Sequence, residues 1–113
     1  MMVICATMVG DDTVGGGFGK ARRVAVAQAE GDGWQVSHVD VRWDLQHDQV
    51  ADGLHHAQIA RFLRDQGVNV VVTGHMGDGM LRMLDSMKIK VFSGEGPLPD
   101  LLQAAAAAAG KAE

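Results

Sequence analysis

The chain has a single cysteine, Cys5, so no internal disulfide framework can staple it. That usage fits a reducing cytosol, and a cytoplasmic protein is expected. Positive charge is also scarce. Ten Lys and Arg stand against 14 Asp and Glu, giving a net charge of −4 and a pI near 5.6. This balance argues against a protein that coats nucleic acid or an anionic membrane. No apolar run approaches the ~20 residues needed to span a bilayer. Asp11 and Asp12 interrupt any apolar core of a signal peptide, so none is expected. The sequence offers no nucleophile–base pair and no paired acid–base carboxylates at a shared spacing, so a non-enzyme is expected.

What is present is enough for one domain: 113 residues, 47% of them apolar. The chain is organised around Val68 to Met80, VNVVVTGHMGDGM. Val68 to Thr73 is a near-continuous β-branched run, suited to a strand covered on both faces. Gly74-His75-Met76-Gly77-Asp78-Gly79 is a glycine-rich turn, with an apolar helical pattern after it. A strand, a glycine turn and a helix start place backbone N–H groups at the carboxyl end of a central strand, where α/β sheets hold ligands.

Around that centre the pattern predicts a buried first strand over residues 1–9 and a glycine loop over 10–19. A second strand spans 22–29, and the turn Glu30-Gly31-Asp32-Gly33 leads into a half-exposed third strand over 34–42. Residues 43–53 read as a polar connection and 54–66 as a helix with Ile59, Phe62 and Leu63 inward and Gly67 at its C′ position. Residues 77–87 read as a helix with Met80, Leu81, Leu84 and Met87 inward, and 88–93 as a short strand. Gly94 to Pro97 breaks the pattern. Residues 98–109 read as a last helix with Leu101, Leu102 and Ala105 buried and Gly110 as its stop. The order β-β-β-α-β-α-β-α implies an α/β fold, a mixed five-stranded sheet with helices on both faces. By analogy it is ribonuclease-H-like, with strand order 3-2-1-4-5 and strand 2 antiparallel. In that arrangement the loop at 10–19, the connection ending at His55-His56 and the turn at 74–79 meet on one rim.

These motifs resemble the dinitrogenase iron–molybdenum cofactor biosynthesis family, which includes NifX, NafY and the carboxyl-terminal domain of NifB. Gly17-Phe18-Gly19-Lys20-Ala21 is similar to the family's His-Phe-Gly-Arg-Ala box. Ile59 to Gly74 is similar to its helix and GVDVVI-type strand, Gly74-His75-Met76-Gly77 to its Gly-Gly-x-Gly turn, and Ile89-Lys90-Val91-Phe92 to the strand after it. The sequence departs from the family twice. Gly17 stands where His is usual, and His75 stands at the second glycine of the turn. The resemblance implies a non-catalytic carrier of an iron–sulfur or iron–molybdenum–sulfur cluster or its precursor, with metallocofactor assembly proteins as partners.

The candidate binding residues are Gly16, Gly17, Phe18, Gly19, Gly74, Met76, Gly77 and Gly79, with His75, His55 and His56 as candidate metal ligands. Imidazole suits iron, and a helix N-terminus favours an anionic cluster. The plain alternatives are an exposed loop histidine for His75 and a buried or capping histidine for His55. Adjacent helical residues point about 100° apart, so His55 and His56 do not easily share one ion. His38 and His47 read as strand and loop residues, and Asp11-Asp12 as a solvated turn. Cys5 reads as a small buried hydrophobe, and Met83 and Met87 as core filler. Thiolate ligation of a [4Fe–4S] cluster needs four cysteines. A cluster here is therefore pre-assembled, loosely held, or shared across a homodimer. Two other functions compete with this one. A ribonuclease-H-type enzyme needs strand 1 carboxylates for Mg²⁺, and Val3 to Thr7 carries none. A small anion or nucleotide binder would use the Gly74–Gly79 amides as a nest.

Overall fold

The structure, a computed structural model, describes residues 2–46 and 52–111. The elements in chain order are β1 (Val3–Met8), β2 (Thr13–Val14), a 3₁₀ turn (Phe18–Lys20), β3 (Arg23–Glu30) and β4 (Gly33–Val39). They continue with α1 (Trp43–Gln46), α2 (Asp52–Asp65), β5 (Val70–Thr73), α3 (Asp78–Ser86), β6 (Lys90–Ser93), β7 (Gly96–Pro97) and α4 (Leu98–Lys111).

The sheet is mixed. β1 pairs antiparallel with β3, and β3 with β4, while β5 runs parallel to both β1 and β6. β1 and β5 are buried along their whole length, as their unbroken apolar runs require. The β3–β4 hairpin closes through Gly31-Asp32, where Gly31 takes φ 58. β4 is an edge strand and mostly exposed, which accounts for its mixed residues, His38 among them. One face packs Val3, Cys5, Val24, Val26 and Val71 under Ile59 and Leu63 of α2 and Met80 and Leu84 of α3. The other packs Ile4, Ala6, Ala25, Ala27, Val70 and Val72 under Leu98, Leu101, Leu102 and Ala105 of α4. Among the described residues no helix is long and apolar enough to cross a membrane.

Several expectations need correction. The sheet has seven strands, not five. The two extra strands are two residues each: β2 pairs with β1 through Met8 and Val14, and β7 pairs with β2. Pairs this short are set by where the loops land, and carry no periodic signal. The third strand stops at Val39 rather than residue 42, because the chain turns there and Arg42 adopts φ 52. The polar connection at 43–53 contains a short helix, α1, and the first residues of α2. Its Trp43 is 3% exposed and packs between Phe18 and Phe62. Residues 47–51, including His47, lie outside the described residues. Leu81 faces outward at 38% exposure. α4 runs through Gly110, since one glycine costs only about 1 kcal/mol against a long alanine run.

Candidate functional site

The rim at the carboxyl ends of β1 and β5 is built by two threonines. Thr7 ends the central part of β1, Thr73 ends β5, and both are buried. Their hydroxyl oxygens lie 3.0 Å apart. The Thr7 hydroxyl donates to the Gly15 carbonyl at 2.9 Å. Each hydroxyl has one proton, so Thr73 can then donate to Thr7, with the Gly16 and His75 carbonyls at 3.3 Å as further acceptors. Backbone bonds complete the joint. The Gly16 carbonyl accepts from the amides of Gly74 and His75, both at 3.1 Å, and the Phe18 amide donates to the His75 carbonyl at 2.8 Å. Gly16 sits at φ +78, where a glycine is favoured. Gly74 and His75 thus spend their amides on the neighbouring loop, and the anion nest expected across 74–79 is reduced to its second half.

Thr73→Val keeps the shape and removes the hydroxyl. It is expected to cost about 1–3 kcal/mol, because a buried acceptor loses its donor. Amide exchange should speed up at Gly15 to Gly17 more than at β4. Equal protection in variant and wild type at those amides would show that the threonine pair does not hold the loop.

Against this joint lies a hollow of about 330 Å³. Gly17, Phe18 and Gly19 form one wall; Met76, Gly77 and Gly79 form another; His55 and His56 of α2 form a third. His75 stands at the mouth, exposed, and Lys20 and Met80 complete the lining. Of the sequence-predicted residues only Gly16 and Gly74 are outside the lining, and they form the joint behind it. Gly77 is the N-cap of α3, with no side-chain cap, so the positive end of that helix is presented beside the hollow.

The histidines differ in what they can do. His55 is 2% exposed, and its Nε2 lies 2.8 Å from the Gly19 carbonyl. A carbonyl only accepts, so Nε2 carries the proton and is not a metal donor in this geometry. His55 pins the 3₁₀ turn to α2. The His55 and His56 rings are 6.3 Å apart, tilted by 44°. Among the described residues no three His, Cys, Asp or Glu groups gather into a metal cage. Cys5 is wholly buried in the centre of β1, and burial pushes its thiol up to about 12. It is a protonated core residue and takes no part in the hollow. The donors that do face the hollow are imidazole and thioether, with no carboxylate in its lining.

Sequence reasoning passed over Thr7 and Thr73, though a threonine at the end of each of two central strands was visible. It also passed over Lys20, whose place on the rim depends on the 3₁₀ turn.

The family model for the dinitrogenase iron–molybdenum cofactor matches residues 1–108. Among solved structures, PH0822 is similar at 22% identity and a TM-score of 0.70, over 91% of this chain and 88% of that one. A Thermotoga protein described as NifB-like, of the DUF35 family, is similar at 20% identity and a TM-score of 0.70, over 92% of this chain and 86% of that one. At these identities the two structures speak to the fold alone. No curated protein matches the sequence.

Proposed function

The chain belongs to the dinitrogenase iron–molybdenum cofactor family, and from that premise we propose that it is a non-catalytic carrier of an iron–sulfur or iron–molybdenum–sulfur cluster or precursor. The observation that carries this reading is the hollow at the strand ends. Imidazole and thioether groups line it without a carboxylate, and the uncapped start of α3 stands beside it. Such donors suit a thiophilic metal, and the helix end suits the negative charge of a sulfide cluster. The donors are too few to build a cluster from ions, so the cargo arrives assembled and is held weakly enough to be passed on to metallocofactor assembly proteins. The long strands are read as a ribonuclease-H-like core working in the cytoplasm. β1, VICATM, carries no carboxylate, which supports a carrier over a Mg²⁺-dependent nuclease of that architecture.

The test is anaerobic uptake. Wild-type protein mixed with a pre-assembled iron–sulfur cluster should retain iron and sulfide through gel filtration and show visible absorption. His75→Ala should weaken retention by about tenfold or more, the scale at which loss of metal-supporting groups is felt. Gly17→His should strengthen it. Gly17 has an extended backbone, φ −84 and ψ 140, and a Cβ there meets nothing within 4 Å, so the backbone accepts the side chain usual in the family. Absence of uptake by the wild type removes the proposal.

A further inference from the structure

We propose that a second hollow on the same rim is an oxyanion subsite, in which Lys20 and Arg22 hold a carboxylate or phosphate group beside the backbone of Gly17. This hollow is about 480 Å³, within the range of small-ligand sites. Gly15, Gly16 and Gly17 run along it, and Lys20, Arg22 and Arg23 supply its charge against Asp11. Arg23 is already matched. Its Nε lies 2.8 Å from Asp40 and its Nη1 3.4 Å from Asp11. The hydrogen bond from Arg23 holds the Asp40 carboxyl below its ordinary range, with Arg22 and Arg42 adding to this only at longer range. Among the described residues no carboxylate comes within 4.0 Å of Lys20 or Arg22.

In a chain of net charge −4, two neighbouring cations without a carboxylate in contact among the described residues attract anions to one place. The guanidinium of Arg22 matches an oxyanion with a two-pronged donor, and Lys20 adds a point charge. The hollow is open beside Gly10 and Gly17, where a Cβ would touch nothing within 4 Å, whereas Val9 and the Glu95 carboxylate already stand against Gly15 and Gly16, with Glu95 Oε2 3.5 Å from the Gly16 amide. Gly17 and Lys20 line both hollows. A ligand with a soft metal end and an anionic end would therefore lie across Gly17. That spanning ligand rests on the carrier reading; the anion subsite does not.

The test uses the full chain without metal at low ionic strength, titrated with inorganic phosphate and separately with malonate, followed by amide NMR. Shifts are expected at Gly17, Lys20 and Arg22. Lys20→Gln/Arg22→Gln should weaken binding by about tenfold or more, since two charge-assisted contacts are lost. Arg61→Gln/Lys88→Gln, with the same charge change at other places on the surface, should leave it unchanged. A preference for phosphate or malonate would name the class of anion within the proposal. Shifts scattered over the surface, equal losses in the two double variants, or no saturation in the millimolar range would overturn it. Wild-type protein that binds the anion but takes up no cluster would remove the carrier reading and leave this site standing. Protein that takes up cluster but no anion would do the reverse.

Discussion

Replacing Gly74 with alanine is expected to break the junction between the two glycine loops, while the same change at Gly17 is expected to be silent. A Cβ on Gly74 would lie 2.8 Å from Glu95 Oε2, 2.9 Å from the Gly16 nitrogen and 3.0 Å from the Gly16 oxygen. The first neighbour is the tip of an exposed, flexible side chain and can swing away. The other two are backbone, and that backbone is fixed by the hydrogen bonds from the Gly74 and His75 amides that define the rim. The methyl group must push the loops apart, which costs both the overlap and those bonds. Overpacking typically costs 1–3 kcal/mol, and lost buried bonds add to it. Thermal unfolding should show a loss of roughly 3 kcal/mol for Gly74→Ala and little change for Gly17→Ala. Glu95→Ala in the Gly74→Ala background separates the two contacts. It relieves only the flexible one, so stability should stay low. Full recovery would mean that the carboxylate, not the Gly16 backbone, excludes a side chain at this position.

That residue also marks what could be read from the chain alone. Val68 to Thr73 announced a covered strand because β-branched residues without alternation have few other homes, and the glycine turn after it announced a strand-end site. The hollow does gather Gly17, Phe18, Gly19, His55, His56, His75, Met76, Gly77 and Gly79. The local glycine pattern did not show that Gly74 faces Gly16 across two loops, since the contact is set by the β1–β5 pairing more than 50 residues apart in sequence. The same holds for β2 and β7. Thr13-Val14 and Gly96-Pro97 have no strand signal of their own and pair because Leu98 and Val14 are buried on the α4 side. Trp43 was hidden differently. Asp44, Gln46 and the polar residues beyond made its segment look like a loop, although a tryptophan next to a half-exposed strand is a natural core plug. The cationic hollow was the least legible feature. Lys20, Arg22 and Arg23 are near in sequence, but which of them is paired depends on Asp40 and Asp11, which the hairpin and loop bring into contact with Arg23, with Asp40 only at longer range from Arg22.

Phe18 is where core and rim are the same residue, and Phe18→Ala should be the most costly single truncation at the site. Its side chain is 1% exposed and meets the edge of Trp43 with ring centres 5.2 Å apart. Trp43 in turn meets Phe62 of α2 at 5.7 Å, so three aromatic rings tie the 3₁₀ turn to the helix that carries His55 and His56. The backbone reinforces the same tie, since the Trp43 amide donates to the Ala21 carbonyl at 2.9 Å and the Phe18 amide donates to His75. Truncation removes the ring, leaves a cavity beneath the rim and frees one edge of Trp43. Such changes cost about 3–5 kcal/mol, a large share of the roughly 5–15 kcal/mol that a domain has in total. The melting midpoint should fall on the order of 10–20 °C. Trp43 emission should shift to the red as water reaches the cavity, with Trp34 as a constant background because it packs on the opposite face. Phe18→Leu fills most of the space and should retain the hollow at a smaller cost, below about 2 kcal/mol. Cluster and anion uptake should follow the rim and not global stability, surviving in Phe18→Leu and failing in Phe18→Ala even at temperatures where that variant is folded. A loss under about 1.5 kcal/mol for the alanine variant would show that the surrounding residues collapse into the gap, and that the ring is a wall of the hollow without being its support.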